Sequence, residues 1–137
     1  MMRFEQSIAD GYVKKVPIDK IMAKSLLLSG DEALYAAQKL PLEQGTAKAI
    51  LRELYEGLRQ HCEAIGYFRG YKFRSHEAIT YFIEEVLHDT ALAARFDRYR
   101  KLRNGINYYG KDVSLETVKE ALQEIPEIVK KLRKQIE

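Results

Sequence analysis

The sequence predicts an all-α protein, an antiparallel up-and-down bundle of four to five helices. Three observations carry this. Good helix formers (Ala, Leu, Glu, Lys, Arg) dominate the 137 residues, and only three prolines and eight glycines interrupt them. Apolar residues recur at spacings of three and four over long segments, the repeat of a half-buried helix. The stretches between these segments are short, which makes consecutive helices antiparallel neighbours, and no segment alternates as a strand does. The length fits one domain.

Residues 1–17 read as an N-terminal arm and 18–137 as a single bundle domain. Pro17 suits a first helical turn, where its missing N–H is not needed. The first helical region is "IDKIMAKSLLLSGDEALYAAQKL". It is expected to break near Ser29-Gly30-Asp31, with Asp31 capping the helical segment after the break, and to end at Pro41. The second is "LEQGTAKAILRELYEGLRQHCEAIGYF", striped by Ala47, Ile50, Leu51, Leu54, Leu58, Cys62 and Ile65. "RGYKFR" is a connection. Ser75 caps "HEAITYFIEEVLH", which turns Ile79, Phe82, Ile83, Val86 and Leu87 inward. Asp89 or Thr90 caps "ALAARFDRYRKLRNGINYY", and Gly110 ends it as a C′ glycine does. Ser114 caps "LETVKEALQEIPEIVKKLRKQI", which Pro126 is expected to kink or split.

Composition narrows the function. Hydrophobic residues make up 46% and charged residues 31%, the balance of an ordinary globular chain. A net charge of +3 argues for local basic patches, not for a wholly basic nucleic-acid binder. Cys62 is the sole cysteine, so an intrachain disulfide is impossible and a reducing compartment is expected. No apolar run approaches the roughly 18 residues of a membrane span. "MMRFEQSIADGY" has no apolar signal-peptide core, and the expectation is a cytoplasmic protein without membrane partners.

Most familiar site chemistry is missing. His61, His76 and His88 form no pair at ligand spacing on one helix and there is no CxxC, so no metal and no cofactor is expected. His76 follows an N-cap, where a local polar contact is the ordinary role. Cys62, on an apolar stripe, reads as a buried inert thiol. Neither a Walker loop nor GxGxxG is present.

"YRKLRNGINYYG" (99–110) is different. Arg95, Arg98, Arg100, Lys101 and Arg103 crowd one helix against a single acid, Asp97. At about 100° per residue, Phe96, Tyr99, Leu102 and Ile106 share a core-facing arc. Arg103 lies at the edge of that arc, with Arg100 a turn before it and Asn107 a turn after. Asn104 and Tyr108 form the next row outward, and Tyr109 falls at the other edge. An arginine fork, asparagine amides and tyrosine rings beside an apolar groove suit a phosphodiester and a base. A solvated basic face with bordering tyrosines is the alternative.

These residues carry a family resemblance. "AILRELYEGLRQHCEAIGYFRGYK", the helix start "SHEAITYFI", and "RNGINYYG" with one more long helix after it together resemble the HEPN superfamily of small helical-bundle proteins, over roughly residues 18–137. Family members that cleave RNA carry a late-helix Arg, a polar residue, and a His four to six residues on. Two chains pair to line one cleft, without a metal. The resemblance implies Arg103 and Asn104 at the first two positions. The histidine position falls at Tyr108 or Tyr109, where the sequence departs from the pattern. Tyrosine, with a pKa of about 10, is a poor base at neutral pH, and His61, His76 or His88 could serve instead only where folding or dimerisation brings one near.

The resemblance and the residues together suggest an RNA- or nucleotide-binding HEPN-type homodimer, paired through the side bearing Arg103. The chain is also read as a toxin-like partner of a small nucleotidyltransferase. The ligand-binding candidates are Arg100, Arg103, Asn104, Asn107, Tyr108 and Tyr109. Arg103 and Tyr108 are the candidates for any catalysis, and Tyr108 or Tyr109 for modification by such a partner. The alternatives are a metal-independent ribonuclease and a non-catalytic protein-interaction module.

Overall fold

The computed structural model describes residues 2–136; the outermost positions of the two expected segments, Met1 and Glu137, lie outside them. The protein is all-α. Its elements run α1 (Arg3–Ala9), β1 (Val13–Lys15), α2 (Lys20–Lys39), α3 (Ala47–Arg69), β2 (Tyr71–Phe73), α4 (His76–Glu85), α5 (Thr90–Tyr109) and α6 (Leu115–Arg133).

α3 is the central helix, and α2, α5 and α6 pack on it. All seven residues of its expected stripe are buried, together with Tyr55 and His61. Side-chain partners show that neighbouring helices are antiparallel. On α3 and α5, Arg52 meets Asn107 while Tyr55 meets Arg103. On α5 and α4, Asp97 meets Thr80 while Arg103 meets His76. Asp89 caps α5, accepting from the Leu92 N–H at 3.0 Å, and Ser114 caps α6, accepting from the Thr117 N–H at 3.1 Å, whereas Ser75 stands at the start of α4 without a side-chain cap bond. Gly110 closes α5 at φ 61°, in the left-handed region that favours glycine.

Three local expectations are corrected. α2 does not break at Ser29-Gly30-Asp31 but runs unbroken from Lys20 to Lys39. Gly30 is there for close approach: a Cβ on it would lie 2.6 Å from His61 Nδ1 and 3.1 Å from the Gly57 carbonyl. Asp31 is no cap. It accepts from the Arg133 Nη1 at 2.7 and 2.8 Å and faces His61 Nε2 at 3.2 Å, tying α2 to α6 and α3. Asp19 caps α2 instead, accepting from the Met22 N–H at 2.9 Å. Pro126 does not split α6, which continues through it to Arg133.

The third correction is a strand pair. β1 and β2 pair antiparallel, with Val13 opposite Phe73 and Lys15 opposite Tyr71. At three residues each they are too short for alternation to show in the sequence. The ribbon and α1 fold the N-terminal segment onto the bundle. Phe4 stacks edge-on to Tyr71 at 5.1 Å and lies 5.5 Å from the Phe82 ring. β2 therefore fixes where α4 starts, and the first residue of α4 is His76.

Candidate functional site

The site begins with spacing on α3. Arg52, Tyr55, Glu56 and Arg59 recur at three, four and seven residues, so one flank of the helix presents them together. Tyr55 is also core. It is 2% exposed, with its ring 5.8 Å from those of Phe96 and His76. α5 brings Arg103 and Asn107 against this flank, and α4 brings His76. The three helices enclose a cleft of about 350 Å³ lined by Arg52, Glu53, Tyr55, Glu56, Arg59, His76, Arg103 and Asn107.

Arg103 is half-buried at its centre. Its guanidinium lies 4.8 Å from the Tyr55 ring centroid and 5.9 Å from that of Tyr108. One Nη donates to the Tyr108 hydroxyl at 3.4 Å and the other to His76 Nδ1. Cation–π contact of this kind contributes about 1 kcal/mol each. Neighbouring arginines are neutralised: Arg59 holds Glu56 and Glu63, and Arg100 holds Asp97 at 2.8 Å. Among the described residues Arg103 pairs with no carboxylate. Arg52 pairs with none either; its Nε donates to the Asn107 Oδ1 at 2.7 Å.

His76 is neutral. Burial, then the charges of Arg103 and Arg59, push its pKa down to about 4. Burial pushes Tyr55 up to about 12, so its hydroxyl keeps its proton and donates to His76 Nδ1 at 3.0 Å. Arginine only donates, so Nδ1 is an acceptor toward both neighbours and the imidazole proton resides on Nε2. In this arrangement the ring offers an N–H. Its basic lone pair is occupied until the Tyr55 and Arg103 contacts give way.

Of the residues expected from sequence, Arg103, Asn107 and Tyr108 come together at the cleft, with Tyr108 69% exposed at its mouth. Arg100 is committed to Asp97, and its charge only adds to the field that keeps His76 neutral. Asn104 and Tyr109 do not line the cleft; Tyr109 is exposed, with Lys111 Nζ 5.9 Å from its ring.

The other histidines lie elsewhere. His61 is fully buried and donates from Nδ1 to the Gly57 carbonyl at 2.7 Å, and His88 is exposed at φ 56°. Burial pushes the Cys62 thiol up, so it is no nucleophile. No group of three His, Cys, Asp or Glu converges among the described residues, and no helix there is long and apolar enough to cross a membrane.

Sequence reasoning missed Arg52 and Tyr55, and left His76 as one of three histidines that could serve only if folding brought it near. The first two had a signal, the polar row beside the α3 stripe. His76 had none, because its contacts to Tyr55 and Arg103 span 21 and 27 residues and are not the local contact an N-cap neighbour ordinarily makes. Scanned against protein-family models the chain matches none, and no curated protein matches it.

Proposed function

We propose that the chain is a HEPN-type protein that binds the phosphate of an RNA or nucleotide in the cleft between α3, α4 and α5. One observation carries the reading: Arg103 is a half-buried guanidinium with no carboxylate partner among the described residues, held between two tyrosine rings and a neutral histidine. A partly desolvated cation with unspent donors favours an anion, and the planar fork matches phosphate oxygens. A volume of about 350 Å³ suits a mononucleotide-sized group. Tyr108, exposed at the mouth, gives a base a stacking face. As the toxin-like half of a pair with a small nucleotidyltransferase, the chain would offer Tyr108 and Tyr109, 69% and 74% exposed, to that enzyme. The test is calorimetric titration of wild type and Arg103→Ala with AMP and with 5′-phosphorylated single-stranded RNA. Equal affinities would remove Arg103 from the site.

His76 beside Arg103 favours a second reading, a metal-independent ribonuclease whose histidine comes from α4 instead of the late α5 motif. Arg103 would stabilise the pentavalent phosphate while His76 Nδ1, released from Tyr55 and Arg103, takes the ribose 2′-hydroxyl proton; the 2′-oxygen bonds phosphorus, the P–O5′ bond breaks to leave a 2′,3′-cyclic phosphate, and the departing 5′-oxygen takes a proton from the imidazolium or from water. A base with a pKa of about 4 is poorly matched to neutral pH, which ranks this reading second. Pure protein incubated with single-stranded RNA in EDTA is expected to leave it intact. Cleavage that disappears in His76→Ala and Arg103→Ala would establish the ribonuclease instead.

A further inference from the structure

The β1–β2 ribbon carries a charge pattern that the cleft does not use. Its ladder continues one residue pair beyond each end: the Arg74 N–H donates to the Tyr12 carbonyl at 2.8 Å and the Val16 N–H to the Gly70 carbonyl at 2.9 Å. In that register Tyr12 stands opposite Arg74, and Lys14 opposite Lys72. Strand alternation puts these four residues on one face. It is the outer face. Val13 and Phe73, on the other, are buried in the core, whereas Tyr12 is 55% exposed and Lys14, Lys72 and Arg74 are exposed.

Three cations therefore crowd one short ribbon, two of them directly opposed. Like charges facing each other across a strand pair destabilise it. Nothing within the chain offsets them: among the described residues, Lys14, Lys72 and Arg74 have no carboxylate partner. The acids that flank β1 in sequence are engaged elsewhere. Asp10 accepts from the Gln6 amide at 2.8 Å and Asp19 caps α2. Those that flank β2 are engaged too: Glu63 holds Arg59, and Glu77 accepts from the Tyr81 hydroxyl. Uncompensated cations beside an exposed aromatic ring suit a polyanion that carries bases, with phosphates at the cations and a base stacked on the ring.

The ribbon also leads to the cleft. Arg74 stands two residues before His76, which lines the cleft beside Arg103. At no more than about 3.6 Å per residue, the Lys72 and His76 Cα atoms lie within about 14 Å of each other. We propose that the outer face of the ribbon is a second binding surface for the strand held in the cleft, so the ligand of this site is a single-stranded RNA of several nucleotides and not a free mononucleotide. The inference rests on the reading of Arg103 as a phosphate-binding residue. Arg103 anchors one phosphate, Arg74, Lys72 and Lys14 follow the backbone away from it, and Tyr12 gives a base a stacking face.

Titrations with AMP and with a 5′-phosphorylated RNA of about twelve nucleotides separate the two surfaces. Lys14→Gln combined with Lys72→Gln is expected to weaken RNA binding about tenfold and to flatten its salt dependence by roughly two units, one for each charge removed, while AMP binding keeps its wild-type affinity. Tyr12→Ala should weaken RNA by about fivefold or more, again without change for AMP. Lys14→Glu distinguishes binding from a structural role. It sets an acid opposite Lys72, so Tm should hold or rise while RNA affinity falls. RNA affinity unchanged in the double variant, AMP affinity that falls with it, or polyglutamate that competes as strongly as RNA of equal charge would each overturn the inference, the last by making the ribbon a surface for acidic proteins. The cleft reading fails by a different result: Arg103→Ala equal to wild type for AMP and RNA, with the loss at the ribbon intact, would remove Arg103 and leave the ribbon.

Discussion

Arg103→Ala is expected to weaken binding of AMP and of 5′-phosphorylated RNA about 10- to 100-fold. A charge-assisted hydrogen bond is worth about 1.5–3 kcal/mol, and each 1.4 kcal/mol is about tenfold in Kd. The salt dependence should flatten too, by about one unit of slope, because one phosphate-neutralising charge is gone. Arg103→Lys should recover part of the loss. It restores the charge but not the planar fork, nor the same stacking between Tyr55 and Tyr108. Arg100→Ala should do little to binding, since Asp97 already holds Arg100. A loss at Arg100 as large as that at Arg103 would move the site along α5, away from the cleft.

Gly57→Val is expected to destabilise the fold by about 2–3 kcal/mol, the upper part of the overpacking range, and to lower Tm by roughly 6–12 °C. A Cβ at Gly57 would lie 2.7 Å from Leu34 Cγ and 2.9 Å from the Gly30 carbonyl. The second obstacle is backbone and cannot rotate away, so α2 and α3 must separate. Separation would also loosen Asp31 from His61, which is fully buried and already bound to the Gly57 carbonyl. Gly45 makes the control: its nearest neighbour is a Glu43 carboxylate oxygen at 4.0 Å, so Gly45→Ala should stay within about 0.5 kcal/mol of wild type. Urea denaturation of the three proteins decides it, and a Gly57→Val variant as stable as wild type would exclude this helix separation.

The same two glycines show where sequence reading stops. Gly30, next to Ser29 and Asp31, has the local chemistry of a helix end, and only the facing Gly57 of α3 explains why the helix continues. Periodic features were legible. The α3 stripe is buried throughout, and on α5 Phe96, Tyr99 and Ile106 are buried with Arg103 at their edge, because helical repeat alone sets those positions. The same repeat puts Arg103 and Asn107 on the side of α5 that faces α3, with Tyr108 beside Arg103. It could not supply their surroundings. Whether Arg100 is free depends on Asp97, itself held by Thr80 from α4 at 3.1 Å. His76 reaches Arg103 from α4, 27 residues away in sequence, because α4 packs antiparallel to α5. Contacts of that range depend on tertiary packing, on which periodicity is silent.

The most direct measurement of the phosphate-binding account is the ionisation of His76, followed by nitrogen NMR of its imidazole with and without saturating AMP. In the free protein the ring should be neutral at pH 7, carry its proton on Nε2, and titrate near pH 4. A bound phosphate adds negative charge and draws Arg103 toward itself. Both changes favour imidazolium, so the pKa should rise in the complex. By linkage, affinity corrected for the second ionisation of the phosphate itself, at about pH 6, should then be flat above the raised pKa and increase as pH falls from that value toward about 4. An imidazole that titrates at its ordinary value of about 6.5 in the free protein, or one whose pKa does not move at saturating AMP, would contradict the account.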